Sequence, residues 1–169
     1  MSRTIPLTRG YFTIVDDEDF EWLSQWKWLA QGPADGRIYA ARDANENGRK
    51  RRILMHRQIL GTVDAAFHVK TDHVNNDSLD NRRQNLRTCT NLQNSGNYGA
   101  FKERAGKPVS SRYRGVSFYK RNGYWTAQIN VHGKKRHLGC FPTQEDAARA
   151  RDVASRKHFG EFAFLNFPD

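Results

Sequence analysis

The sequence predicts an α+β protein of two units, the second a three-stranded antiparallel sheet packed on one helix. Three observations lead there. Alternating apolar residues in Tyr113–Tyr119, Trp125–Val131 and Lys135–Gly139, divided by Asn122-Gly123 and His132-Gly133, mark strands joined by tight turns. From Thr143 to Phe159 the spacing becomes helical, through Ala147, Ala148, Ala150, Val153, Ala154 and Phe159, with Thr143 and Asp146 as an N-cap pattern. Ahead of these, residues 98–111 show no hydrophobic period and carry Gly, Lys, Ser and Pro, so they read as a basic flexible linker. The expected domains are therefore 1–97 and 112–169.

In the first domain Tyr11–Val15 alternates as a strand does, and Asp16–Asp19 supplies acidic residues to the start of a helix over Asp17–Ser24. Trp22, Trp26 and Trp28 are expected to pack a small core rather than line a ligand cage. Arg37–Arg42 and Arg52–Met55 read as strands flanking the turn Asn45–Gly48, and His56–Leu60 as a helix stopped by Gly61. Phe67–Val74 is strand-like and delivers Asp72 and His73 to its end. Asp80–Asn85 is loop and second hairpin arm, and Asn85–Asn94 runs from strand edge into a short helix with Thr90 as N-cap.

The bulk numbers narrow the function. A net charge of +10 and a pI near 9.9 favour a polyanionic partner, nucleic acid before a membrane surface. The charge is uneven: residues 1–97 hold 14 Lys+Arg against 12 Asp+Glu, and residues 98–169 hold 14 against 6. The C-terminal part therefore carries the electrostatics. No apolar run is long enough to span a membrane, and Met1–Leu7 lacks the apolar core of a signal peptide, so a cytoplasmic protein is expected. Cys89 and Cys140 form no C-x-x-C pair, which excludes a disulfide framework or an all-cysteine zinc site.

The chemistry concentrates between Asp72 and Asn97. Hydrolysis of a phosphodiester needs charge stabilised on the phosphate, an activated water and a neutralised leaving oxygen. Asp72 offers a carboxylate and Asn94 an amide oxygen to a hard cation, Mg²⁺ or Mn²⁺ rather than zinc. His73 is expected to face solvent water as general base, since an ordinary imidazole pKa near ~6.5 suits neutral pH. Arg82, Arg83 and Arg87 make the turn basic enough for a DNA backbone. Arg49–Arg52 fits either a solvated turn or a phosphate contact, and His56 and His68 fit structural or DNA-contacting roles.

Asp72-His73, Asn85 and Asn94, with Leu54–Arg57 upstream, resemble the HNH (ββα-metal) nucleases of the homing type, over roughly residues 10–97. The resemblance implies a metal held by Asp72 and Asn94, with Asn91 and Asn97 as alternatives for the second ligand. It also implies His73 as base and Asn85 as the residue that holds the hairpin. In the second domain Tyr113–Val116, Trp125-x-Ala-x-Ile129, Leu138-Gly-x-Phe141, Glu145–Ala148 and Leu165–Pro168 resemble the plant APETALA-two/ethylene-response DNA-binding domain. That likeness implies contacts from Arg114, Gln128 and Arg136, with His137 where the family often has Trp. The basic residues Lys120, Arg121, Lys134 and Lys135, interleaved with Tyr119, Tyr124 and Trp125, lie on or beside the same strands, as a sheet entering a groove requires. The expected function is a metal-dependent, site-directed endonuclease on double-stranded DNA, a monomer or weak dimer since one active site cuts one strand. The alternative is a sequence-specific DNA-binding regulator with an inactive nuclease-like domain.

Overall fold

A computed structural model describes residues 1–33, 36–46, 48–97, 103–104, 107–108 and 110–168. The chain forms two compact units, Met1–Thr90 and Asn91–Asp169. Most of the expected linker, 98–102, 105–106 and 109, lies outside the described residues.

The first unit starts with a strand that the sequence pattern did not announce. β1 (Ser2–Pro6) pairs antiparallel with β2 (Phe12–Asp16), from Ser2 opposite Asp16 to Pro6 opposite Phe12. α1 (Asp17–Leu23) follows at once, with Asp17, Glu18 and Asp19 in its first turn, where carboxylates offset the exposed N–H groups. β3 (Leu29–Gln31), β4 (Tyr39–Glu46) and β5 (Arg49–Leu54) form a three-stranded antiparallel sheet, and α2 (Met55–Ile59) follows directly. The expected strands at 37–42 and 52–55 are thus the ends of a longer ribbon.

These elements enclose a core that includes Val15, Leu23, Trp28, Met55, Ile59 and Leu86. The three tryptophans pack edge to face, with centroids 6.0 Å apart for Trp22 and Trp26 and 6.3 Å for Trp26 and Trp28. Trp28 is 1% exposed and its indole N–H donates to the Leu23 carbonyl at 2.8 Å, so burial leaves no orphan donor.

β6 (Lys70–His73) and β7 (Leu86–Cys89) form an antiparallel pair that sets Asp72 opposite Arg87 and His73 opposite Leu86. The long loop between them is sewn onto β2. Ile14 N–H donates to Leu79 at 2.8 Å, and Asn81 N–H donates to Ile14 at 2.7 Å.

In the second unit α3 (Asn91–Asn97) packs against α4 (Gln144–Phe159). Gly96 of α3 faces Phe159 so closely that a Cβ would lie 2.6 Å from the ring. This packing groups Asn94 with the second unit. β8 (Glu103–Arg104) pairs with β9 (Lys107–Pro108). β10 (Val116–Tyr119), β11 (Tyr124–Val131) and β12 (Lys134–Phe141) form the expected three-stranded antiparallel sheet, with β11 central. Its last turn has positive φ at both His132 (54°) and Gly133 (73°), the conformation whose twist matches a two-residue hairpin.

α4 crosses one face of this sheet. Ala147 and Ala148, both 0% exposed, let the helix approach Val116 and Ala127 closely. Thr143 caps the helix, its Oγ1 accepting from Asp146 N–H at 3.1 Å. Among the described residues no helix is long and apolar enough to cross a membrane.

Candidate active site and nucleic-acid interface

The β6–β7 loop is held by side-chain amides. Asn85 Oδ1 accepts from Asn75 N–H at 2.9 Å while its Nδ2 donates to the Asp80 carbonyl at 2.7 Å, tying both ends of the loop through one buried residue. Arg82 bonds to both oxygens of Asp80 at 2.8 and 2.7 Å and holds that carboxyl below its ordinary range. Turns at Asn75 and Asp77 complete the loop, each side chain accepting from the N–H two residues on at 2.8 and 2.9 Å.

This scaffold places Asp72 and His73 otherwise than expected from sequence. The His73 imidazole is 6% exposed and does not face open solvent, because α2 and the start of β4 cover the end of β6. Its ring meets His56 edge to face at 5.1 Å and Tyr39 at 6.2 Å, and its Nε2 lies 3.3 Å from Asn81 Oδ1. Burial lowers the His73 pKa, against the Asn81 bond and the nearby charges of Asp72, Asp77 and Asp80, which raise it. Asp72 is 6% exposed, and Arg87 donates to its Oδ2 through Nε at 3.0 Å and Nη2 at 2.9 Å.

The three arginines expected on DNA in this unit are engaged internally. Arg82 grips Asp80, Arg87 grips Asp72, and Arg83 donates to both oxygens of Asp19 at 2.8 and 2.7 Å. Each lies beside a carboxylate that is at most 6% exposed, and pairing such a charge outweighs leaving the guanidinium in water. In the β4–β5 ribbon, Arg51 pairs with Glu46 and Asp64 and Arg52 with Asp43. Of the three amides considered as a second ligand, Asn91 is exposed, Asn94 half-buried and Asn97 buried.

His56, on α2, is 5% exposed, and burial followed by the charges of His73 and Arg57 lowers its pKa to about 3. A histidine buried neutral makes the unfolded state the better proton acceptor. Stability of the first unit is therefore expected to fall as pH drops from about 6.5 towards 3, by on the order of 1 kcal/mol per pH unit per histidine. Urea midpoints measured across this range would show the slope, and His56→Gln should flatten it.

On the C-terminal sheet the strand register assigns faces. Ala127 lies against α4, so Thr126, Gln128 and Asn130 point to the opposite, uncovered face. Ser117 joins them, hydrogen-bonded to Thr126 at 3.0 Å, and Tyr119 stacks on Tyr124 with centroids 5.4 Å apart. Opposite the step from Ala127 to Gln128 an extra residue on β12 shifts the register, setting His137 opposite Gln128, Arg136 opposite Ile129 and Lys135 opposite Asn130. Lys135 thus shares the uncovered face with Gln128 and His137. Arg136 lies on the side of Ile129, which is 4% exposed, and Lys134 on the side of Val131.

Two further expected contacts move inward. Trp125 packs on the α4 side, its ring 5.0 Å from Phe118 and against the core. Arg114 donates to the Gly96 carbonyl at 2.6 Å and the Ser95 carbonyl at 2.8 Å, satisfying the last turn of α3. Burial, then the charge of Arg151, lowers the Arg114 pKa to about 10. Gly115 makes this geometry possible: its φ is 73°, and a Cβ would lie 2.5 Å from the Gln128 carbonyl oxygen. Lys120 and Arg121 are exposed at the β10–β11 turn.

Sequence reasoning gave no role to Asn81, which is 0% exposed and bonds both to His73 and to Thr13 of β2; it counted Lys135 and Arg136 alike among the basic residues of the strands, and the register turns Lys135 to the side of Asn130 and Arg136 to the side of Ile129. The register of β11 on β12 carries the signal for Lys135. Nothing local signals Asn81.

No family model matches the chain. Over 64 residues it is 48% identical to the AP2-like ethylene-responsive transcription factor TOE2 of Arabidopsis thaliana, covering 38% of this chain and 13% of that protein. Over 58 residues it is 50% identical to APETALA2-like protein 2 of Oryza sativa subsp. japonica, covering 34% and 13%. The chain therefore spans about an eighth of the length of these plant relatives. It is also 27% identical over 158 residues, 94% of this chain and 76% of the relative, to the uncharacterized HNH endonuclease L560 of Acanthamoeba polyphaga mimivirus. The protein is thus similar in part to plant transcription factors and, more distantly, over nearly its whole length to a viral HNH endonuclease.

Proposed function

We propose that the protein is a metal-dependent endonuclease of the HNH type, positioned on double-stranded DNA by the uncovered face of its C-terminal sheet. The observation that carries this reading is the match to the viral HNH endonuclease, which at 94% of the chain extends through both units.

The donor set suits a hard ion. Among the described residues no group of three or more His, Cys, Asp and Glu side chains lies together as a metal site. A carboxylate with amide oxygens is what Mg²⁺ or Mn²⁺ uses when waters and a substrate phosphate complete its shell. Asp72 is the proposed carboxylate ligand, and Asn94 the amide ligand that the sequence resemblance implies. Bound there, the ion would stabilise charge on the phosphate and the leaving oxygen. His73, kept neutral by burial, takes the proton from the attacking water. Asn85 holds the loop that presents both residues.

Supercoiled plasmid incubated with the protein and Mg²⁺ or Mn²⁺ should be nicked, and EDTA should stop the reaction. Asp72 is already paired with Arg87, which favours a second reading, a DNA-binding regulator with an inactive nuclease-like unit. Retained DNA binding with no metal-dependent nicking would establish that one. For the sheet, Lys135→Ala is expected to reduce the slope of log affinity against log salt by about 0.9, the share of one phosphate contact, whereas Arg136→Ala leaves it unchanged. Salt titrations of a labelled duplex measure both.

A further inference from the structure

The loop between β6 and β7 buries a chain of hydrogen bonds whose direction is fixed at one end by a backbone carbonyl. Thr13, 0% exposed, donates its hydroxyl proton to the Leu79 carbonyl oxygen at 2.7 Å. A carbonyl only accepts, so that proton is committed. Asn81, also 0% exposed, has its side-chain amide 2.7 Å from Thr13 Oγ1. Since the hydroxyl hydrogen points to Leu79, Thr13 Oγ1 can only accept here, and the group facing it must be the Asn81 NH₂. The amide carbonyl of Asn81 is thereby turned to His73 Nε2, at 3.3 Å. An amide oxygen accepts and cannot donate, so Nε2 must carry the hydrogen, and in a neutral imidazole the lone pair then sits on Nδ1.

We propose that the Leu79 carbonyl, Thr13 and Asn81 form a relay that sets His73 as its Nε2–H tautomer, with Nδ1 as the proton-accepting nitrogen. Thr13 and Asn81 are positioning residues for the base, and the relay makes β2, which lies outside the β6–β7 hairpin, part of the catalytic apparatus. The catalytic meaning of Nδ1 rests on the nuclease reading above. The placement of the hydrogen does not.

Long-range ¹H–¹⁵N correlation spectra of the full chain, labelled at histidine and assigned with His73→Gln, read the tautomer directly and need neither metal nor DNA. The expected wild-type spectrum has a protonated Nε2 and an unprotonated Nδ1 on His73. Thr13→Val, which keeps the shape and removes the hydroxyl, should mix the two tautomers. The same variant should lower metal-dependent nicking by between ~10-fold and ~10⁴-fold, the upper figure being the loss that a wrong imidazole tautomer brings in a hydrolase. A wild-type His73 protonated on Nδ1 would overturn the relay. So would an Nε2–H tautomer that persists unmixed in both Thr13→Val and Asn81→Leu. If the spectra are as expected and the wild type fails to nick DNA, the relay stands and the nuclease reading falls.

Discussion

On the proposed nuclease reading, His73→Ala is expected to lower the rate of metal-dependent nicking by about 10²–10⁴-fold, the contribution of one well-placed general base. The dissociation constant for duplex DNA should not change, because the imidazole is 6% exposed and lies in the first unit, whereas the proposed contacts belong to the sheet. The pH profile checks the same residue independently. Burial lowers the His73 pKa, so the base stays neutral below the ordinary imidazole value, and the acid limb of the rate should lie on the acid side of about 6.5. Single-turnover nicking of saturated plasmid between pH 5 and 8 would show this. An acid limb above neutrality, or a His73→Ala variant as fast as the wild type, would remove the imidazole from the mechanism.

Legibility in the sequence followed the range of the interaction that fixes each feature. The C-terminal sheet and α4 were readable because period-two and helical spacings are local: Ala127, Ile129 and Val131 alternate with Gln128 and Asn130, and Ala147, Ala148 and Phe159 share one helix side. β1 was not readable, since Ser2–Pro6 has no alternation of its own and becomes a strand through pairing with β2. The extra residue on β12 opposite the step from Ala127 to Gln128 decides which of Lys135 and Arg136 takes the side of Asn130. In an unbroken register continued from Ala127 opposite Gly139, Arg136 would stand opposite Asn130; one extra residue on β12 puts Lys135 there instead.

The candidate site divides in the same way. Asp72, His73 and Asn85 sit close together in sequence, and their juxtaposition at the β6–β7 hairpin needs only that hairpin. The inward turn of His73 depends on α2 and β4. Asn81 depends on Thr13, 68 residues away, and Arg83 on Asp19, 64 residues away. Basic residues near a motif look alike in sequence whether they meet a phosphate or a buried carboxylate. Only tertiary placement separates Arg82, Arg83 and Arg87 from Lys135.

Asp152→Ala is expected to destabilise the C-terminal unit by about 3–5 kcal/mol, the cost of removing one side of a buried charged network. Asp152, on α4, is 3% exposed and gathers the chain end: it accepts from the N–H groups of Asn166 and Phe167 at 2.9 Å and from Asn166 Nδ2 at 3.0 Å. Asn166 in turn accepts from Arg114 N–H at 2.7 Å, so the same carboxylate fixes the entry to β10. Arg151, beside it, donates to the Phe164 carbonyl and keeps the next turn closed. Without the carboxylate, two backbone donors and one amide lose their acceptor in a site that admits little water, and Phe167 loses its hold against Tyr113, 5.0 Å away. Small domains are stable by only about 5–15 kcal/mol, so the variant should have a much lower urea midpoint in this unit and weaker DNA binding, while the first unit unfolds as before. Asp152→Asn, which retains one acceptor oxygen, should fall between the two. An unfolding free energy for Asp152→Ala within about 0.5 kcal/mol of the wild type would mean that the tail is not held by this network.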